Sequence, residues 1–215
     1  MTSNFEPEYF ARQLAKSDTK LRWQYDRMLG FAGVRLPIGA HALDIGCGAA
    51  PGLRYLARRG IIAVGCDVSA AALAAARRAM AGAELVLCDL NEGLPFTAGR
   101  FDLVLMSEIV EHVADVALVL GEIRRVLQPG GAFVLTTPNL WDPRRAVAVV
   151  GGPTWTGDTD PTHINLQTPR TLRRHLERAG FAQVPVRVGG RRLPIRFEVP
   201  YPPLIGNGIM ACGRA

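Results

Sequence analysis

Lysine is nearly missing from this 215-residue chain: it occurs only at positions 16 and 20. The 25 basic residues, set against 19 acidic ones for a formal charge of +6, are therefore almost all arginine, and many come as pairs such as Arg58-Arg59, Arg77-Arg78, Arg124-Arg125 and Arg173-Arg174. Pairs dispersed along helix-like segments read as solvated faces. A nucleic-acid stripe would gather the charge and interleave it with aromatics, and aromatics make up only 7% of the chain. No stretch reaches the roughly 18 consecutive apolar residues that a membrane span needs. The opening Met-Thr-Ser-Asn-Phe-Glu-Pro-Glu has no basic region leading into an apolar run, so a soluble cytoplasmic protein is expected. Cys47, Cys66, Cys88 and Cys212 lack Cys-x-x-Cys spacing, which argues against a zinc ribbon or dithiol motif and for reduced, partly buried thiols. Internal repeats and low-complexity tracts are missing too. What remains is a chain that is 48% hydrophobic, enough for one domain with a substantial core.

That core is written as alternating strands and helices. Residues 1 to 18 are polar and irregular; Leu21, Trp23, Tyr25, Met28 and Leu29 then suggest a helix ending near Gly30 to Gly33, covering a face of the core or the mouth of a ligand site. Ala42, Leu43 and Ile45 read as a short buried strand that meets a glycine turn at Gly46 and Gly48, with Asp44 near its carboxyl end. Leu53, Leu56 and Ala57 mark a short helix, and Ile61 to Cys66 a buried parallel strand. Ser69 can cap an alanine-dense helix over 70–80. Leu85 to Leu87 and Phe101 to Met106 are further strands, Val116 to Leu127 a helix stopped by Pro129-Gly130-Gly131, and Ala132 to Thr136 the fifth strand. Thr168-Pro169 opens a helix whose face is Leu172, Leu176 and Ala179, and Val184 to Val188 and Ile209 to Cys212 close the sheet. Regular alternation of this kind implies a mostly parallel, doubly wound sheet with right-handed crossovers, whose ligands bind beyond the carboxyl ends of the strands.

Read in order, Leu-Asp-Ile-Gly-Cys-Gly at 43–48, Val-Gly-Cys-Asp-Val-Ser at 64–69, Cys-Asp-Leu at 88–90, Phe-Asp-Leu-Val-Leu-Met at 101–106 and Val-Leu-Gln-Pro-Gly-Gly at 126–131 resemble the class I S-adenosylmethionine-dependent methyltransferases. The resemblance covers about residues 40 to 137, and the later Thr-Pro-Arg-Thr-Leu helix and Ala-Gly-Phe are also typical. It implies a Rossmann-like α/β fold, a seven-stranded, mostly parallel sheet in three layers. The expected organisation is an N-terminal helical cap over 1–35 and a methyltransferase domain over 36–215, with an acceptor-side insertion over 138–168. It implies S-adenosylmethionine as cofactor and a small-molecule methyl acceptor as partner, with a hydroxyl oxygen the expected target.

The cofactor residues follow from the same likeness. Gly46 and Gly48 let backbone amides approach the methionine portion, flanked by Asp44 and Cys47. Asp67, 23 residues after Asp44, stands where the ribose hydroxyls need an acceptor, the spacing of one βα unit. Asp89 would accept from the adenine amino group with Leu90 packed on the ring, and Val68 and Ser107 complete the set. Where the family commonly has a third glycine this chain has Ala50, followed by Pro51-Gly52, which narrows the loop. A nicotinamide dehydrogenase would use a similar strand, turn and distal acid, but Gly-x-Gly-x-x-Gly is not met, because position 51 is proline.

After the fourth strand comes Glu108-Ile-Val-Glu-His112, similar to the ubiquinone-type O-methyltransferases. If the segment begins helically, Glu108, Glu111 and His112 converge and offer a divalent metal, magnesium or zinc, a mixed oxygen and nitrogen site. Otherwise they line the acceptor pocket, with Glu108, His112 and His163 as candidate catalytic residues. His163 lies in the long connection after the fifth strand and is placed either to face the acceptor as general base or to join His112 at a metal. His41 and His175 are assigned no chemistry. The missing Asn/Asp-Pro-Pro-Tyr/Phe tetrad argues against exocyclic base amino groups as acceptors. Two other readings stay open at the level of sequence: an RNA-directed methyltransferase, suggested by the +6 charge, and a binding module that keeps the fold without turnover.

Overall fold

The computed structural model describes residues 18–151, 155, 160–189 and 208–215. All of the irregular segment expected over 1–18 except Asp18, and most of the proline- and glycine-rich connection over 191–208, lie outside the described residues, as do residues 152–154 and 156–159. Helices α1 (Asp18–Phe31), α2 (Pro51–Ala57), α3 (Ala70–Ala79), α4 (Val116–Val126), α5 (Pro143–Val149) and α6 (Pro169–Arg178) accompany strands β1 (His41–Ile45), β2 (Ile62–Asp67), β3 (Glu84–Leu87), β4 (Phe101–Ser107), β5 (Leu127–Pro138), β6 (Val186–Gly189) and β7 (Gly208–Arg214).

The strands form one sheet in the order β3-β2-β1-β4-β5-β7-β6. Pairing is parallel from β3 to β5, and β7 runs antiparallel to both β5 and β6. This is the doubly wound, mostly parallel arrangement expected, in three layers. The parity of β4 shows how the layers arise. Leu103 and Leu105 pack in one cluster with Leu21, Tyr25 and Met28 of α1 and Leu56 of α2. Val104 and Met106 pack in another with Leu120 and Ile123 of α4 and Leu172 and Leu176 of α6. Successive side chains point to opposite faces, so a strand buried on both sides must be apolar along its buried length, as β4 is from Leu103 to Met106 between the half-buried Asp102 and Ser107. Burying one such side chain contributes about 1.5 to 3 kcal/mol.

In α1, Leu21, Tyr25, Met28 and Leu29 share one buried face, whereas Trp23 is 64% exposed. Its position two residues after Leu21 puts it on the opposite side of the helix, which corrects the expectation that it belongs to the core face. The alanine-dense α3 buries Ala72, Leu73, Ala75 and Ala76, and its first turn is capped by Ser69, whose Oγ accepts from the Ala72 amide at 3.2 Å. β5 begins five residues before the expected Ala132, where Leu127 pairs with Phe101 of β4, and β7 extends to Arg214 because Ala132 to Pro138 pair residue for residue with Arg214 to Gly208. Among the described residues, no helix is long and apolar enough to cross a membrane. The four cysteines are free and buried.

Because β1 has neighbours whose connections leave on opposite sides, the sheet's topological switch lies between β1 and β4. A crevice forms outside the carboxyl ends of the strands at such a point. The Gly46 turn leaves β1 there, and the segment carrying Glu108 to His112 leaves β4 beside it.

Candidate active site

The turn after β1 is stitched to the end of β2. Gly46 and Cys47 both donate their amides to the Cys66 carbonyl, at 2.8 and 3.0 Å. The chain then passes through left-handed backbone at Gly46 (φ 67°), Gly48 (φ 53°) and Ala50 (φ 65°) before α2 begins. Glycine suits the first two because it carries no Cβ to strain there. Ala50 accepts the strain with its methyl fully buried among Cys47, Leu53, Leu73 and Ala76. The Cys47 side chain belongs to that same apolar cluster, and its thiol donates to the Gly48 carbonyl at 3.9 Å.

The tight turn aims the Gly48 amide at Asp67, whose Oδ2 accepts at 2.9 Å while Oδ1 accepts from the Ser69 amide at 2.9 Å. Burial raises the Asp67 pKa, and the backbone donors Ser69, Gly48 and Val68 oppose that rise. Asp44 is more extreme. It is 3% exposed, its Oδ2 is a buried oxygen with no hydrogen-bond partner among the described residues, and burial followed by the nearby Asp67 pushes its pKa to about 7. A Cβ added at Gly52 would sit 2.2 Å from that Oδ2, so the glycine makes room for the carboxylate. An orphaned carboxylate beside a second one is an acceptor-rich, cation-seeking arrangement, which fits a ligand bearing ribose hydroxyls and a positive charge.

Further along the crevice, Asp89 uses Oδ1 to accept from both the amide and the Nδ2 of Asn91, at 2.9 and 2.8 Å. Asn91 Oδ1 in turn accepts from the Ala114 amide at 3.1 Å. Nothing in the local sequence singles out Asn91, since a lone asparagine beside an aspartate looks like any turn. Leu90 is half-buried against the core and Val68 is 52% exposed. Ser107 Oγ shares a 2.9 Å hydrogen bond with Thr136 Oγ1 and receives one from Gln24 Nε2 at 3.4 Å, tying β4 to α1 and β5.

Beyond β4 the segment does not begin helically. Glu108 has φ 57°, Ile109 lies outside both the helical and the extended regions (φ −130°, ψ −36°), and a short 3₁₀ turn spans Val110–His112. Glu108 is exposed there, yet near enough to Glu111 to act on its charge. Among the described residues, the side chains whose donor atoms lie within 4.8 Å of one another are Glu111, His112 and His163. Glu111 and His112 of the expected trio thus group with His163, the histidine expected to join His112, and Glu108 is not part of that group. The His112 and His163 ring centroids are 4.8 Å apart. Glu111 is buried, accepts from Thr137 Oγ1 at 2.9 Å, and has its pKa pushed to about 8 by burial and by Glu108. His112 is held below its ordinary pKa by burial and by His163. An uncharged imidazole in this position can accept a proton or ligate a metal. His41 lies at the opposite end of β1, its amide bonded to Asp102 at 2.7 Å.

Comparison with known proteins adds three findings. The methyltransferase domain family matches residues 43–135. The ubiquinone biosynthesis O-methyltransferase of Nitrobacter winogradskyi is 35% identical over 148 residues, 66% of this chain and 56% of that protein. Its namesake from Bradyrhizobium sp. is 40% identical over 116 residues, 53% of this chain and 46% of the relative. The chain therefore spans about half the length of the curated relatives it matches. Among solved structures, a SAM dependent methyltransferase from Archaeoglobus fulgidus superposes with a TM-score of 0.73 at 19% identity, covering 96% of this chain and 98% of that one. An S-adenosylmethionine dependent methyltransferase from Mesorhizobium loti gives 0.67 at 24% identity, over 94% and 100% of the two chains. At these identities the structural likeness shows the fold alone.

Proposed function

This chain is a member of the class I S-adenosylmethionine-dependent methyltransferases, and from that premise we propose that it transfers a methyl group from S-adenosylmethionine to a hydroxyl oxygen of a small organic acceptor. The observation that carries the reading is the convergence of His112 and His163, ring centroids 4.8 Å apart, at the edge of the crevice that Asp44 and Asp67 line. The likeness to ubiquinone biosynthesis O-methyltransferases supports oxygen as the target.

S-adenosylmethionine, when bound, supplies an electrophilic methyl group on a sulfonium centre. In this reading Asp67 accepts from the ribose hydroxyls, Asp89 from the adenine amino group, and the turn at Gly46 to Gly48 holds the methionine end beside Asp44. Val68, Leu90 and Ser107 border the cofactor. His112 takes the proton of the acceptor hydroxyl as its oxygen gains the methyl group, and His163 lies beside it. Alignment of the two reactants supplies about 7 to 11 kcal/mol of barrier lowering and the base about 10²- to 10⁴-fold in rate. Residues 138–168 form the acceptor side, and α1 belongs to a helical cap. The four reduced, buried thiols suit a cytoplasmic setting.

A divalent cation held by Glu111, His112 and His163 is the second reading, favoured by the proximity of their donor atoms. One carboxylate and two imidazoles suit zinc better than magnesium, which demands an octahedron of oxygens. Turnover of a panel of phenols and alcohols, read as S-adenosylhomocysteine formed, tests the main reading. Binding of S-adenosylmethionine without product from any hydroxyl acceptor would reject it. Activity abolished by chelator and restored by zinc supports the cation, and activity indifferent to chelator rejects it.

A further inference from the structure

The His112 ring is held by a loop that reaches it from 50 residues away. Its Nδ1 lies 3.1 Å from the Thr162 carbonyl oxygen and 2.9 Å from Thr162 Oγ1. A carbonyl oxygen only accepts, so Nδ1 must carry the hydrogen. The hydroxyl agrees: Thr162 Oγ1 donates to Asp160 Oδ1 at 2.6 Å, which leaves its lone pairs to receive from the ring. The same Asp160 oxygen accepts from the Thr162 amide at 2.9 Å, so one carboxylate sets both the orientation of the hydroxyl and the turn that presents the carbonyl. Asp160 Oδ2 lies 3.7 Å from His163 Nε2. Burial works against ionisation of Asp160, and the Thr162 hydroxyl and amide outweigh it, holding its pKa below the ordinary value.

We propose that Asp160 and Thr162 are positioning residues that lock His112 as its Nδ1–H tautomer, so that Nε2 carries the lone pair offered to the acceptor hydroxyl. A free imidazole prefers its hydrogen on Nε2, so without this pair the ring would present a donor where an acceptor is needed. The direction of the chain of bonds is set by chemistry at both ends: a carboxylate that can only accept from threonine, and a ring nitrogen that can only donate to a carbonyl. The consequence for catalysis rests on the proposed transfer to a hydroxyl, whereas the tautomer does not.

The test is long-range proton–nitrogen spectroscopy of the full chain labelled with ¹⁵N-histidine, recorded without cofactor or acceptor at a pH where His112 is neutral. The expected His112 pattern is a protonated Nδ1 and a bare Nε2. In Asp160→Ala and in Thr162→Val the Nε2–H form rises, because the ring keeps at most a weakened bond to the carbonyl. Asp160→Asn, whose amide oxygen still accepts both Thr162 bonds, and Thr162→Ser both keep the wild-type pattern. In turnover, Asp160→Ala and Thr162→Val lower kcat by about 10- to 100-fold with the acceptor KM little changed, and the two conservative variants restore most of it. A wild-type His112 with hydrogen on Nε2, or a pattern that neither disruptive variant moves, overturns the inference. If no hydroxyl is methylated but the spectra behave as stated, it is the proposed reaction that fails and the positioning pair that stands.

Discussion

Replacing Asp44 by asparagine should make the ligand-free protein more stable and its cofactor binding weaker. The carboxylate is buried beside Asp67 and its Oδ2 has no partner among the described residues, which raises its pKa from 3.8 to about 7. An acid raised in the folded state keeps a proton that the unfolded chain has already released, so stability is full at low pH and falls as pH rises from about 4 through 7. At about 1.4 kcal/mol per pH unit the total loss is roughly 4 kcal/mol, of which roughly 3 kcal/mol falls between pH 5 and pH 8. Asparagine is nearly isosteric and cannot ionise, so it should match the wild type near pH 4 and exceed it at pH 8. For a chain of this size that difference is worth about 5 to 10 °C in Tm. Thermal unfolding followed by circular dichroism, for both proteins at pH 5 and pH 8 without ligand, reads it directly. Other groups titrate over the same range, including Glu111, so the quantity to compare is the gap between variant and wild type at each pH. A gap that stays constant from pH 5 to pH 8 refutes the reasoning. Calorimetry on the same pair should show S-adenosylmethionine binding weakened by about 10-fold in the variant, since a charge-assisted contact is worth about 1.5 to 3 kcal/mol. Stability given up at the site would then be recovered on binding.

Three further outcomes follow from the geometry of the crevice. Asp67→Ala removes an acceptor that Gly48 and Ser69 hold in place, and should lower S-adenosylmethionine affinity about 10- to 100-fold by calorimetry while leaving the far-ultraviolet spectrum unchanged. Gly46→Ala places a Cβ 2.1 Å from Ile109 Cδ1 at φ 67°, so urea unfolding should show a loss of about 2 to 4 kcal/mol, combining left-handed strain with displacement of the isoleucine. Ala50→Gly, by contrast, should change stability by less than about 1 kcal/mol: relief of strain at φ 65° is offset by the lost methyl burial and the freer unfolded chain. A loss above 2 kcal/mol there would mean that the methyl packs better than its strain costs.

The glycine turn was legible because it joins two strong local signals, an apolar strand and residues that tolerate left-handed backbone. The helices were legible where caps and periodicity agree, as at Ser69 and Thr168, whose side chain closes a capping box with Thr171. Less was legible where the partner decides. β5 starts early because Leu127 pairs with Phe101 of β4, and β7 runs long because it pairs with β5 out to Arg214, pairings that no window of sequence contains. Glu108 reads as one of three converging ligands if the segment begins helically, whereas left-handed backbone at that position leaves it exposed and outside the Glu111, His112 and His163 group.

By itself, then, the amino-acid sequence determined the alternation of strands and helices, the apolar parity of the central strands, and the ordered motifs that mark the cofactor edge, because each depends on neighbours within a few residues along the chain. Only the tertiary structure decided which polar groups meet. Asp44 is an ordinary aspartate until burial strips its Oδ2 of partners, and His112 an ordinary histidine until Thr162 and His163 close on it from a loop 50 residues away. Ionisation and tautomer depend on solvent exclusion and on contacts brought together by folding, and neither is written in local sequence.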